Sequence, residues 1–342
     1  MKSAIKHAVI RAGLEVFALP GIGALWPTAA GRGVIFTLHH VRPHRAEAFL
    51  PNALLSVTPE FLEQAILAAK QAGLSPVPLE DLPGLLADPS DRRRFVSFTL
   101  DDGYRNNAEF AAPVFRKLGV PYTIFLTEGF VERTRSLWWE TAEALLRKTS
   151  LLRFDFGQGD AELSLNTATE KLAAFGRISR LVASDEEDSA VEHLDRAARA
   201  HGIDPLGITA ELTMDTDELR RLAADPLARF GAHTLTHINL KRVDERQLRA
   251  EIEGSIASVK RFVGYPPKSF AYPYGFPDAV GDREIQAAAE AGLSIAVTTQ
   301  PGVLSAGTLA RPTALPRVSL NGLYQKKRYV KALMTGIPFK LM

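Results

Sequence analysis

The 342-residue chain has no cysteine, which excludes disulfides, thiolate metal ligands and a cysteine nucleophile. It also lacks a surplus of either charge. With 41 basic and 39 acidic residues the net value is +2, which gives no reason to expect nucleic acid as a partner. No run is long and apolar enough for an ordinary membrane-spanning helix. Internal repeats and low-complexity tracts are missing too. What remains is a mixture with 46% hydrophobic and 23% charged residues, enough for a large core.

The N-terminus places Lys2, Lys6 and Arg11 around an apolar stretch from Gly13 to Trp26. Glu15 and Pro20 interrupt that stretch, so residues 1–30 read as an amphipathic helical segment packed on the domain rather than an export signal. A membrane-surface helix is the sharper alternative, and the expected location is cytoplasmic or peripheral to the membrane. Residues 326–342 form a basic C-terminal tail whose run Lys326 to Lys331 reads as a solvated helix face.

Between them, residues 31–325 show strand–helix alternation. Apolar, β-branched runs at Val34–Leu38, Phe95–Leu100 and Tyr122–Leu126 predict strands, and helical spacing predicts helices at Pro59–Ala72 and Asn107–Leu118. The rhythm breaks over about 128–225, which reads as a helical insertion. Its helices are expected near Glu140–Lys148, Thr169–Ala183 and Ala190–His201, with an acidic run at Asp185–Asp188. Alternation resumes with strands at Arg229–Ala232, Ser269–Tyr272, Ser294–Thr298 and around Leu315–Leu320, and with helices at Glu245–Val263 and Asp282–Ala291. Such alternation predicts parallel pairing, with active residues at the C-terminal ends of strands.

Three segments at such ends carry the chemistry. Asp101 and Asp102 follow one strand, His233 and His237 follow another, and Tyr272–Pro273–Tyr274 follows a third. One carboxylate and two imidazoles make an open catalytic metal site, leaving the second carboxylate free as a base. Asp-Asp-Gly is also a common turn or cap signal. The i, i+4 spacing of the histidines places them on one side of a helical turn.

Together these segments resemble the polysaccharide deacetylase family, the carbohydrate esterases with a NodB-type homology domain. The family's Thr-Phe-Asp-Asp-Gly motif appears as Thr99–Leu100–Asp101–Asp102–Gly103, its metal-binding histidine motif as His233 to His237, and its Arg-x-Pro-Tyr motif as Ala271–Tyr272–Pro273–Tyr274. The match covers about residues 31–127 and 226–320. The resemblance implies a distorted (β/α) barrel of about seven strands carrying the helical insertion. It implies Asp101 as general base, and Asp102, His233 and His237 as ligands of a divalent metal. Zinc is the expected ion, with iron, cobalt or nickel also suited to these ligands. The backbone N–H of Tyr274, beside Pro273, is implied as the oxyanion donor.

Two departures stand out. Ala271 replaces the family's motif arginine, and Arg317 is the preferred substitute ahead of Arg311. The family's C-terminal Leu-x-His pattern is absent. One branch of the family carries a Tyr-His-x-Val-like element on its first strand instead, and Leu38–His39–His40–Val41 here aligns His39 with the acid of that branch. Its ring is expected across the cleft from Asp101, with His40 structural. Trp138 and Trp139 in the insertion are read as sugar-stacking or core residues. The expected activity is removal of N-acetyl groups from an amino-sugar polymer, oligomer or lipid-linked sugar. A deformylase or cyclic-amide hydrolase of the same superfamily, or a non-catalytic glycan-binding protein, are the alternatives.

Overall fold

A computed structural model describes residues 2–184 and 186–341, so Asp185 of the acidic run lies outside the described residues. The strands used below are β1 (Gly33–Leu38), β2 (Leu74–Pro76), β3 (Arg94–Leu100), β4 (Tyr122–Leu126), β5 (Leu151–Asp155), β6 (Asp160–Ser164), β7 (Ala228–Ala232), β8 (Ser269–Ala271), β9 (Ile295–Val297) and β10 (Val318–Ser319). The helices used below are α1 (Lys2–Phe17), α2 (Pro59–Gln71), α3 (Ala112–Leu118), α4 (Trp138–Lys148), α5 (Ala168–Val182), α6 (Glu187–Ala200), α7 (Pro205–Leu212), α8 (Thr216–Ala223), α9 (Glu245–Val263), α10 (Asp282–Glu290) and α11 (Lys327–Met334).

Seven parallel strands run in the order β9-β8-β7-β4-β3-β1-β10, and β2 pairs with the lower half of β3. Val297 at the end of β9 bridges to Leu315, while Val318 and Ser319 pair with β1. One short segment therefore touches both edges of the curled sheet and closes it. This is the distorted barrel that the alternation and the resemblance predict.

Burial on both faces follows from that closure. Outward residues such as Val34, Phe36, Val96, Phe98, Tyr122 and Ile124 pack under α2, α3 and α9, in one large apolar cluster. Ile35, Phe95, Phe125, Ala271, Ile295 and Leu315 point inward and fill the barrel floor. Above them the inward positions turn polar, with Thr37, Ser97 and Thr99 all buried. Strand alternation thus delivers polar chemistry to the C-terminal mouth.

Three sequence expectations need correction. Residues 128–225 are not purely helical, because β5 and β6 form an antiparallel hairpin within them. Leu152 and Phe154 of that hairpin alternate inward onto α4, α5 and α6, and give the insertion its own core. Residues 107–118 open with a π-turn over Asn107–Ala111 before α3 begins. The solvated helix face expected within residues 326–342 is only one side of α11, whose other side buries Tyr329 and Val330 and packs against α1 and α2.

Candidate active site

The register of two neighbouring strands builds the first half of the site. Thr37 on β1 lies opposite Thr99 on β3, so the next inward positions, His39 and Asp101, become neighbours. His39 Nε2 stands 4.0 Å from Asp101 Oδ2, with 24% of its side chain exposed. The expectation that His39 would face Asp101 across the cleft is therefore corrected, since both rise from adjacent strands on one side.

His40 points the other way and is fully buried. Asn106 Nδ2 donates to its Nδ1 at 2.7 Å, and its Nε2 donates to Glu140 Oε1 at 3.1 Å. Burial pushes its pKa down despite the nearby Glu140 carboxylate.

Arg317 lies in the segment that closes the barrel and is completely buried. Its two terminal nitrogens donate to the two Asp101 oxygens at 2.7 and 2.8 Å. Its Nε donates to the Thr298 carbonyl at 2.9 Å, and a terminal nitrogen also reaches Thr99 Oγ1 at 3.1 Å. Such a fork fixes a carboxylate in plane as no lysine can. Burial works against ionisation of Asp101, but the Arg317 charge and the neighbouring imidazoles hold it below the usual carboxylate range. Arg311 takes no part. It is exposed and pairs with Asp282.

Asp102 forms the second half. The strand ends at Leu100, and Asp102 adopts a left-handed φ of 72° that swings its side chain toward the histidine loop. Its Oδ1 lies 3.5 Å from His233 Nε2 and 3.4 Å from His237 Nε2. The two histidines do not share a helical turn, as their spacing suggests. They belong to a loop in which Thr234 has φ 67° and His237 has φ 60°. The Thr234 hydroxyl accepts from the His237 N–H at 2.9 Å. Glu251 on α9 holds the same loop, accepting from the Leu235 and Thr236 N–H groups at 2.8 and 3.0 Å.

These residues fit a metal. Ligand atoms of Asp102, His233 and His237 lie within 4.8 Å of one another. Asp102 Oδ1 is buried yet has no hydrogen-bond partner among the described residues, an orphaned acceptor that a cation would satisfy. His233 Nδ1 donates to the Ala271 carbonyl at 2.6 Å, turning Nε2 inward as metal-binding histidines require. Burial drives the His237 pKa down to about 3, which favours the neutral imidazole a metal needs. Burial also opposes protonation of His233, but Asp102 and Asp101 beside it prevail and raise its pKa.

The Tyr272–Pro273–Tyr274 turn forms the third wall. Tyr274 has φ 62°, and its N–H donates to no acceptor among the described residues. Gly275 must be glycine here, because a Cβ would sit 2.6 Å from the Thr299 nitrogen at φ 65°. The insertion closes over the top. Trp138 Nε1 donates to the Tyr274 hydroxyl at 3.2 Å, and that hydroxyl donates to Glu187 Oε1 at 2.6 Å. The buried Trp139 ring packs 5.1 Å from His237 and donates to the Tyr104 hydroxyl at 2.8 Å. The space left above His237 is about 10 Å³, walled by Phe130, Ser136, Trp138, Trp139 and Glu187.

The profile of the polysaccharide deacetylase family matches residues 88–164 and 191–296, more than half of the chain. The chain belongs to the polysaccharide deacetylase family. The unmatched residues 165–190 fall within the insertion. Among solved structures, a polysaccharide deacetylase of Bacillus cereus superposes with a TM-score of 0.54 at 15% identity, over 88% of this chain and 68% of that one. The deacetylase PplD of Streptococcus pyogenes, solved with acetate, gives 0.53 at 15% identity, over 85% and 92% of the two chains. IcaB of Ammonifex degensii gives 0.50 at 16% identity, over 85% and 92%. At these identities the likeness is one of fold. No curated protein sequence matches.

Sequence reasoning missed Glu187, Glu251 and Phe130. Glu251 left a readable signal, a carboxylate set in the apolar face of α9 between Leu248, Ile252 and Ser255. Glu187 left none, because it lies in an acidic run that looks solvated.

Proposed function

We propose that this polysaccharide deacetylase is a metal-dependent N-deacetylase acting on an amino-sugar polymer, an oligomer or a lipid-linked sugar. One observation carries the reading. Two adjacent buried carboxylates have opposite ties, Asp101 to the Arg317 fork and Asp102 to two imidazoles. Asp102, His233 and His237 would hold the ion, zinc first by ligand chemistry, with iron, cobalt or nickel also suited. Such an ion supplies Lewis acidity to a carbonyl and to a water.

The chain's own residues do the rest. Asp101, ionised and held in plane by Arg317, takes the proton of the attacking water. The Tyr274 N–H donates to the oxygen on which negative charge grows. The amide C–N bond then breaks, acetate departs, and His39 delivers the proton that the leaving amine needs. Trp138, Trp139 and Pro273 wall the reacting group from bulk water, which strengthens each of these interactions. Access lies on the β1 side, where His39 keeps its exposure.

The test is acetate release from a panel of N-acetylated glycans, before and after chelation and with each metal restored. Release that survives both chelation and Asp101→Asn would falsify the proposal.

A further inference from the structure

We propose that the layer formed by α1 and the C-terminal segment docks this protein on an anionic phospholipid surface. The first observation is a partition of charge. Residues 1–33 and 321–342 together hold nine basic residues and a single acidic one, Glu15, a net of +8. The rest of the chain then holds 32 basic and 38 acidic residues, a net of −6, so the near-neutral whole conceals a polarised molecule. The two terminal segments are also one structural layer, with α1 packed on α11. Glu15 is consumed inside that layer by Lys326, Arg328 and the Tyr329 hydroxyl. Arg11, Lys327, Lys331 and Lys340 have no carboxylate partner among the described residues.

The second observation is where apolar surface stays exposed. Among the described residues twelve large apolar side chains are exposed, and Val9, Ile10, Val16, Leu19, Leu25 and Trp26 are six of them. Two more, Leu323 and Leu341, belong to the C-terminal segment. Beneath α1 runs an open apolar groove of about 520 Å³, lined by Leu14, Phe17, Val330 and Leu333 and continuing to Val318 and Leu320. Unpaired cations around exposed apolar side chains on a surface helix are the composition of an interfacial helix. Each such cation near an anionic leaflet contributes about 1 kcal/mol of attraction.

A second copy of the chain is the rival occupant, and charge argues against it. A twofold contact would press one basic face on another, with the lone Glu15 of each already paired to Lys326 and Arg328. A lipid leaflet supplies both phosphates and hydrocarbon. The docked face also has a functional position, since the groove ends on the residues directly after Arg317. This inference stands independently of the deacetylase reading, because docking and turnover are measured separately.

The experiment is sedimentation of the full chain with vesicles of phosphatidylcholine alone, and of phosphatidylcholine mixed with phosphatidylglycerol. Partitioning into the mixed vesicles is expected, falling with added salt, with a blue shift in the emission of Trp26. Replacing Arg11→Gln and Lys331→Gln together should weaken partitioning about 20- to 30-fold. Val9→Asp with Ile10→Asp should weaken it on both vesicle types. All four residues are exposed, so melting temperature and acetate release from a soluble substrate should stay unchanged. Equal recovery in the supernatant with and without the anionic lipid overturns the proposal, as does partitioning that neither pair of substitutions alters. A lipid-free dimer that Val9→Asp dissolves would assign the face to a second copy and overturn it equally.

Discussion

Arg317 grips Asp101 through two parallel hydrogen bonds of 2.7 and 2.8 Å, although 216 residues separate them in the chain. The motif position next to the site holds Ala271 instead, so the guanidinium reaches Asp101 from the segment that seals the barrel. Closing the barrel and orienting Asp101 are then one structural event.

Arg317→Met should therefore damage both stability and turnover. Leaving a buried carboxylate unpaired costs about 3–5 kcal/mol, readable as a lowered denaturation midpoint. Adding Asp101→Asn to that variant should restore much of the stability and none of the activity. Arg317→Lys keeps the charge and loses the fork, so it should fold well and still lose about 10²-fold in kcat through misplacement of Asp101.

Asp101→Asn and Asp102→Ala should separate cleanly. The first should keep stoichiometric metal and lose about 10²–10⁴-fold in turnover. The second removes a proposed ligand, so elemental analysis should find the metal reduced along with activity. Equal metal loss in both would mean that Asp101 belongs to the ligand set.

The two adjacent histidines should behave differently. His39→Ala should slow acetate release while metal content and melting temperature hold. His40→Ala removes a fully buried ring bonded to Glu140 and Asn106. Leaving those partners unsatisfied should cost about 1–3 kcal/mol in unfolding experiments.

Glu187 gives a pH signature. Burial raises its pKa above the ordinary 4.5, in spite of the Tyr274 hydroxyl and Asn239 N–H that donate to it. The folded protein then binds more protons than the unfolded chain just above pH 4.5, and stability is lost as pH rises through the folded value. Glu187→Gln removes that loss, so its melting temperature should gain on the parent's as pH increases from 4.5. Parallel melting curves against pH for the two proteins would show that Glu187 ionises normally.

Much of this was legible in the sequence because period and punctuation are local. The strand before Asp101 and the helix Glu245–Val263 could be bounded from apolar spacing and caps alone. The side on which His39 stands could not, since it depends on the register of β1 against β3, a relation between distant residues. Nor could the loop carrying His233 and His237 be told from a helix, because both satisfy an i, i+4 spacing. The hairpin of β5 and β6 hid in an insertion whose remaining segments all read as helical. Glu187 meets Tyr274 only through the fold, and nothing near it in sequence announces the contact.

Among the described residues five non-glycine residues carry a left-handed backbone, and four of them, Asp102, Thr234, His237 and Tyr274, belong to the site. Each such conformation costs of order 1–3 kcal/mol and persists only where its surroundings enforce it. Seen through selection, the site is a burden that the fold carries for its work. A lineage released from that work gains stability by admitting glycine or asparagine at Thr234 and Tyr274, the two positions among these that hold no candidate metal ligand. Decay of function would therefore be written first in the backbone of the mouth, before any ligand atom needed to move.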